Sequence, residues 1–179
     1  MFAQGGALHL GNSKAVLTSS RFEENGARNA ESRSFGGAIF INDGSTLRTE
    51  GCSFMRNKVM MATGQLGGGG AIRVDVGGSL WVQNTVYELN SVVSQAEANG
   101  GAISSAGRLT LAAGNVFRAN SVSGAGRSEG GAIFAGLDSA LVAMDGVQFI
   151  DDKVPRVILE CCCCVWRSAW AIRVPTMRF

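Results

Sequence analysis

The tripeptide Gly-Gly-Ala begins at Gly5, Gly36, Gly69, Gly100 and Gly130, in steps of 31, 33, 31 and 30 residues. A chain that repeats at such an interval is built as a stack of similar units. A second motif keeps step with the first: 17 to 19 positions later comes an aromatic residue, followed three positions on by Asn or Asp. The pairs are Phe22/Asn25, Phe54/Asn57, Tyr87/Asn90, Phe117/Asn120 and Phe149/Asp152. Two co-registered motifs fix the phase of five units.

Around these anchors the apolar residues alternate, as in Ile39-Phe40-Ile41, Ile72-Arg73-Val74, Leu80-Trp81-Val82 and Leu109-Thr110-Leu111. Period two is the mark of a strand with one face buried, and no run reaches the roughly 10–12 residues of a helix. Each unit is expected to hold three short strands, one with Gly-Gly-Ala-Ile, one with the central Leu and one with the aromatic. Such a unit cannot bury its apolar face alone. Coils stacked about 4.8 Å apart bury it as one continuous core. Phe22, Phe54, Tyr87, Phe117 and Phe149 then form an aromatic ladder, and Leu8, Ile39, Ile72, Ile103 and Ile133 an aliphatic one. The Asn or Asp of each unit is expected at a turn, bonding the backbone locally and tolerating left-handed geometry. The glycine pairs mark the opposite bend, where a Cβ would obstruct the backbone. Segments 26–35, 58–68, 91–99 and 121–129 vary in length, are rich in Gly, Ser, Ala and charge, and read as loops on one side.

Composition limits the partners. With 46% hydrophobic and 17% charged residues the chain is of a folding type, and its 25 Gly show no collagen-like triplet period. The net charge of +2 comes from 16 basic and 14 acidic residues without a basic run, so nucleic acid is not an expected partner. The opening MFAQGGALHL has no basic stretch leading into an apolar core, so no secretion signal is read there. The most apolar stretch, 154–174, is interrupted by Arg156, Glu160, Arg167 and Arg173. A membrane-spanning helix is not expected, and the chain reads as soluble. There is no Asn-x-Ser/Thr sequon.

Repeated Gly-Gly-Ala-Ile/Leu followed by Phe-x-x-Asn resembles the repeat of chlamydial polymorphic outer membrane proteins, over residues 5–152. The resemblance implies a pectin-lyase-like, right-handed parallel β-helix, used in that family as a surface-displayed passenger for adhesion. It thus suggests an extracellular or cell-surface place. The signal peptide and membrane β-barrel that export and anchor such a passenger are not seen in this sequence. Tyr87 stands where the other units have Phe, and Asp152 where they have Asn.

β-Helix enzymes gather acidic and basic residues on neighbouring coils, so the two columns after the aromatic bear on catalysis. They read Glu23, Met55, Glu88, Arg118, Ile150, and Glu24, Arg56, Leu89, Ala119, Asp151. Glu23 and Glu88 lie two coils apart, roughly 10 Å, too far for a retaining carboxylate pair and marginal for an inverting one. Glu24 and Arg56 read as an exposed cross-strand ion pair. His9 is the only histidine, which excludes a multi-His metal site, and it reads as a surface strand residue. The run Gly67–Gly70 lacks the Lys-Ser/Thr of a phosphate loop and reads as a loop feeding the third Gly-Gly-Ala. Cys52 falls in the inward column Ser20, Cys52, Thr85, Asn115, Val147 and reads as a buried free thiol. The outward column His9, Phe40, Arg73, Ser104, Phe134, with Trp81 beside it, offers exposed aromatics to a sugar or a partner.

Residues 153–179 lose the register and carry Cys161, Cys162, Cys163, Cys164, Trp166 and Trp170. Four consecutive sulfurs do not suit one tetrahedral metal; lipidation and intermolecular disulfides stay open for them. The tail reads as a makeshift cap, a disordered end, or sequence from a truncated or mispredicted reading frame. The expectation is thus an all-β, right-handed parallel β-helix of about five coils of three short strands over 5–152, with an atypical tail over 153–179. No catalytic, cofactor-binding or metal-binding residue is assigned. The expected role is a non-catalytic repeat module for adhesion or for protein or glycan binding, with end-to-end self-association through its open edges. The alternative is a fragment of a carbohydrate-active β-helix enzyme, a polysaccharide lyase or hydrolase.

Overall fold

The computed structural model describes residues 2–29, 33–62, 66–136, 139–143 and 146–154. They form short parallel strands without a helix, stacked as a β-solenoid. The first coil contains β1 (Ala3–Gln4), β2 (Leu8–Leu10), β3 (Lys14–Thr18), β4 (Arg21–Glu23) and β5 (Gly26–Asn29). The second repeats them as β6 (Ser34–Phe35), β7 (Ile39–Ile41), β8 (Thr46–Glu50), β9 (Ser53–Met55) and β10 (Lys58–Met61). The third has β11 (Gly67–Gly68), β12 (Ile72–Val74), β13 (Ser79–Gln83), β14 (Val86–Glu88) and β15 (Ser91–Ser94). The fourth has β16 (Ala98–Asn99), β17 (Ile103–Ser105), β18 (Arg108–Leu111), β19 (Val116–Arg118) and β20 (Ser121–Gly124). The last has β21 (Ser128–Glu129), β22 (Ile133–Ala135), β23 (Ala140–Ala143) and β24 (Gln148–Ile150).

Equivalent strands pair in register into five parallel sheets, four of five strands and one of four. We number them by first member: the first sheet starts at β1 and the fifth at β5. Five repeats make four coil-to-coil steps, so the solenoid has about four turns where five coils were expected. Each of the first four coils also has five strands where three were expected, and the last has four among the described residues. The two extra strands lie in the segments read as loops, whose Gly and Ser content hid a second buried stripe.

That stripe belongs to a second core. The larger one lies inside the second, third and fourth sheets and holds Ile39, Leu47, Phe54, Ile72, Leu80, Tyr87, Ile103, Leu109 and Phe117, each at most 1% exposed. The smaller holds Ala27, Val59, Met61, Val92, Ala98 and Val122, between the fifth and first sheets. The glycine pair separates the two. Its first member has φ between 64° and 70° in all five copies, a region costly for a residue with a Cβ. The second member meets backbone: a Cβ on Gly70 would come within 2.7 Å of Ser91 N, and on Gly101 within 2.6 Å of Ser121 N. Each coil is thus pinched at a waist where the second glycine touches the residue just after the Asn.

Both side-chain ladders form as expected. Successive rings of Phe22, Phe54, Tyr87, Phe117 and Phe149 stack with centroids 4.8–5.1 Å apart and planes 3–13° from parallel, worth about 0.5–1.5 kcal/mol per pair beyond burial. Leu8, Ile39, Ile72, Ile103 and Ile133 are register partners in the second sheet. The asparagines differ from expectation. Positive φ falls one residue earlier, at Glu24, Arg56, Leu89, Ala119 and Asp151, and Asn57, Asn90 and Asn120 are fully buried. Their bonds run between coils. Asn57 N–H and Nδ2 both donate to Asn90 Oδ1 at 3.0 Å, and Asn90 does the same to Asn120 at 3.1 and 3.0 Å. The second Nδ2 proton goes to the aromatic residue's carbonyl one coil back, as from Asn90 to Phe54 O at 2.9 Å. A buried asparagine in this position satisfies all four side-chain bonds.

Two substitutions separate these roles in urea unfolding of the full chain. Asn90→Ala, which orphans buried donors and acceptors on both neighbouring coils, is expected to cost about 3 kcal/mol or more. Tyr87→Phe is expected to change stability by no more than about 1 kcal/mol, because the buried Tyr87 hydroxyl faces only the Thr49 hydroxyl and makes no hydrogen bond of normal geometry with it, and burial pushes its pKa far up.

Asp152 gives a pH prediction. Burial raises its pKa, against the hydrogen bonds donated by Asn120. The folded state therefore holds this proton to higher pH than the unfolded state does. Stability is expected to fall as pH rises from the ordinary carboxylate range through the raised folded value, then level off. Asp152→Asn is expected to remove that component in melting temperatures measured against pH.

Candidate functional site

The outer faces carry the residues that the repeat leaves free. On the fourth sheet Glu23, Met55 and Glu88 are successive register partners, so the two carboxylates are separated by a methionine. Each is already paired with cations. Glu23 contacts Arg21 at 2.5 Å and also Arg56, and Glu88 lies 3.8 Å from Arg118. Arg56 Nε donates to Glu24 Oε1 at 2.9 Å. That hydrogen bond, then the charge of Glu23, raises the pKa of Arg56. With both carboxylates engaged by arginines, the face is a self-neutralised ionic lattice.

The column expected to point outward from the second sheet is covered. Phe40 is 1% exposed and Ser104 fully buried, because the first sheet folds back over them beyond the waist. Phe35 meets Phe40 with ring centroids 6.4 Å apart. His9 keeps its exposed place and packs edge-on to Phe40 at 5.1 Å. Arg73 fills the corner: its guanidinium lies 5.0 Å from the Phe35 ring centroid, and Nη1 donates to Ser104 Oγ at 2.7 Å. Nη2 lies 3.6 Å from Asp75. Burial lowers the Arg73 pKa and Asp75 opposes it; a guanidinium stays charged regardless. Gly67 and Gly68, read as loop, are the buried strand β11. A Cβ on Gly68 would come within 2.9 Å of Ser104 Oγ, so the glycine makes room for this corner.

The third sheet has the longest strands, up to five residues each, and one open outer face. Its central row is Val16, Arg48, Trp81, Thr110 and Val142, aligned by register. Arg48 places its guanidinium 4.1 Å above the Trp81 ring while reaching Glu50 at 3.3 Å. Trp81 is half-buried, whereas Val16 and Val142 are 66% and 51% exposed. At the edge where these strands begin lies a shallow depression of about 390 Å³. Its lining is Val76, Gly77, Gly78, Ser79, Ala106, Gly107, Arg108 and Ala140.

Cys52 is buried and free, with Sγ 3.4 Å from Leu17 O and 3.5 Å from Glu50 O. Its column is a second polar ladder in part, with Thr85 N–H donating to Asn115 Oδ1 and Asn115 Nδ2 to Val82 O, each at 3.0 Å. Cys161–Cys164, Trp166 and Trp170 lie outside the described residues. Among the described residues no group of three or more His, Cys, Asp or Glu could hold a metal ion, and no helix is long and apolar enough to cross a membrane.

Fold and surface together define an all-β parallel solenoid whose freedom of sequence is spent on its outer faces. The chain matches no protein-family model, no curated protein and no solved structure. The ionic lattice is expected to be a modest contributor to stability. Glu23→Gln and Glu88→Gln should each cost about 1 kcal/mol or less in urea unfolding at moderate salt.

Proposed function

We infer that the protein is a non-catalytic solenoid module that presents the outer face of its third sheet to a protein or glycan partner in a surface-adhesion role. The row Val16, Arg48, Trp81, Thr110 and Val142 carries the reading. It sets an aromatic with a stacked guanidinium between exposed aliphatic residues on a rigid sheet. Trp and Arg are the side chains that most often anchor interfaces, and holding them on paired strands reduces the ordering cost of binding. The resemblance to the repeat of polymorphic outer membrane proteins supports the same role, with a right-handed, pectin-lyase-like coil and an extracellular or cell-surface place. Residues 5–152 act as the binding unit, and its edge strands give it a route to end-to-end association.

Binding of the labelled full chain to a glycan array and to cultured cells, read by fluorescence, tests the reading. Trp81→Ala and Arg48→Ala should each weaken the captured interaction by about tenfold or more while leaving the β-sheet circular dichroism intact. Turnover of an acidic polysaccharide that disappears in Glu23→Gln or Glu88→Gln would overturn the non-catalytic reading in favour of a carbohydrate-active enzyme.

A further inference from the structure

The asparagine ladder has a direction, and its two ends differ chemically. Each member accepts at Oδ1 from the coil before it and donates its N–H and Nδ2 to the coil after it. At the amino-terminal end, Asn25 Oδ1 receives no hydrogen bond from the described residues. At the other end the place is held by Asp152, whose Oδ1 takes both donors of Asn120 at 2.8 Å. Its Oδ2 is buried without a hydrogen-bond partner. In Asn57, Asn90 and Asn120 the corresponding group is an NH2 that donates to Phe22, Phe54 and Tyr87 carbonyls.

We propose that Asp152 is a stop built into the ladder: ionised, it closes the carboxy-terminal end of the solenoid to a further coil of the same kind, and neutral, it opens that end to the first coil of a second copy. This deepens the reading of the chain as a self-stacking binding module and rests on it. The occupant follows from continuity with the interfaces inside the solenoid. Leu8, Ala15 and Phe22 on the first coil occupy the same columns as Ile133, Leu141 and Phe149 on the last. Neither set is fully buried, and Phe149 is 40% exposed. Joining the two ends continues the second, third and fourth sheets, whose last-coil strands are β22, β23 and β24.

It also brings Asn25 Oδ1 of the second copy against residue 152. The backbone N–H of residue 152 can still reach that oxygen, but the carboxylate sets Oδ2 where every earlier member has a donating Nδ2, and that buried acceptor facing an acceptor opposes association. A protonated carboxyl supplies the missing donor, and Asn supplies both. Among the described residues, the charged groups on the segments around Asp152 are Asp151 and Lys153 in its own turn, Arg118 on β19 and Glu129 on β21. Asp151 pushes the Asp152 pKa further up, in the same sense as burial, while Asn120 pulls it down. Docking buries the carboxyl more and so favours the neutral form.

Sedimentation velocity of the full chain over a concentration series tests the proposal, at pH 7 and at about pH 4, within reach of a raised carboxyl pKa. The wild type is expected as one small species at pH 7 and as a concentration-dependent series at the lower pH. Asp152→Asn is expected to associate at pH 7, at a concentration at least about tenfold below the wild type. Adding Asn25→Ala, which removes the acceptor at the other end, should restore the small species. An Asp152→Asn protein that keeps its β-sheet spectrum and sediments like the wild type at pH 7 overturns the proposal, as does a wild type that assembles equally at both pH values. Neither variant touches the third sheet, so Trp81-dependent capture reports separately on the binding role.

Discussion

The structure depends on one place in each coil where backbone touches backbone. The second glycine of each pair lies against the residue that follows the Asn, at a separation that leaves no room for a methyl group. This waist divides the cross-section into a large lobe of three strands and a small one of two, each with its own apolar filling. The asparagine ladder runs up the solenoid immediately beside the waist. Its members take up polar groups that the pinch would otherwise leave buried and unbonded, at the cost of no more than one amide side chain per coil. Glycine and asparagine are therefore two halves of one device, which is why the two motifs stay in phase although the segments between them change length.

The large lobe was legible in the sequence because its apolar residues alternate and are bulky. Isoleucine after the glycines, leucine in the middle and the aromatic near the end recur in phase, and in the three inner coils each lands in the core. The small lobe was hidden by its small side chains. Ala27, Val59, Val92, Val122 and Val154 all stand two positions after the Asn or Asp, so extending the second motif by two residues would have found the fifth sheet. The partner wall is built from Ser34, Gly67, Ala98 and Ser128, residues that look like loop because the lobe is too thin for anything larger.

The misplaced outward column has the same origin. Alternation distinguishes the two faces of a strand, but it cannot tell whether the face turned from the core meets water or another sheet. Here the chain folds back after the waist, so Phe40, Arg73 and Ser104 meet the first sheet. A fully apolar run such as Ile39-Phe40-Ile41, all buried, carries the hint of a strand covered on both sides. The left-handed residue of the turn was displaced by one position because Asn, the usual occupant of that conformation, is needed in the ladder.

A repeat of this kind separates folding from recognition by geometry. Inward positions must match the coil above and below and are held to a narrow set of side chains, whereas outward positions on an open sheet answer only to solvent. The fourth sheet spends that freedom on ion pairs whose charges cancel locally, leaving little field to attract a partner. The third sheet spends it on an aromatic ring, a guanidinium stacked over it and exposed valines, none of which the stacking requires. Side chains that folding does not ask for, gathered in one row on a rigid surface, are where recognition is most economically placed.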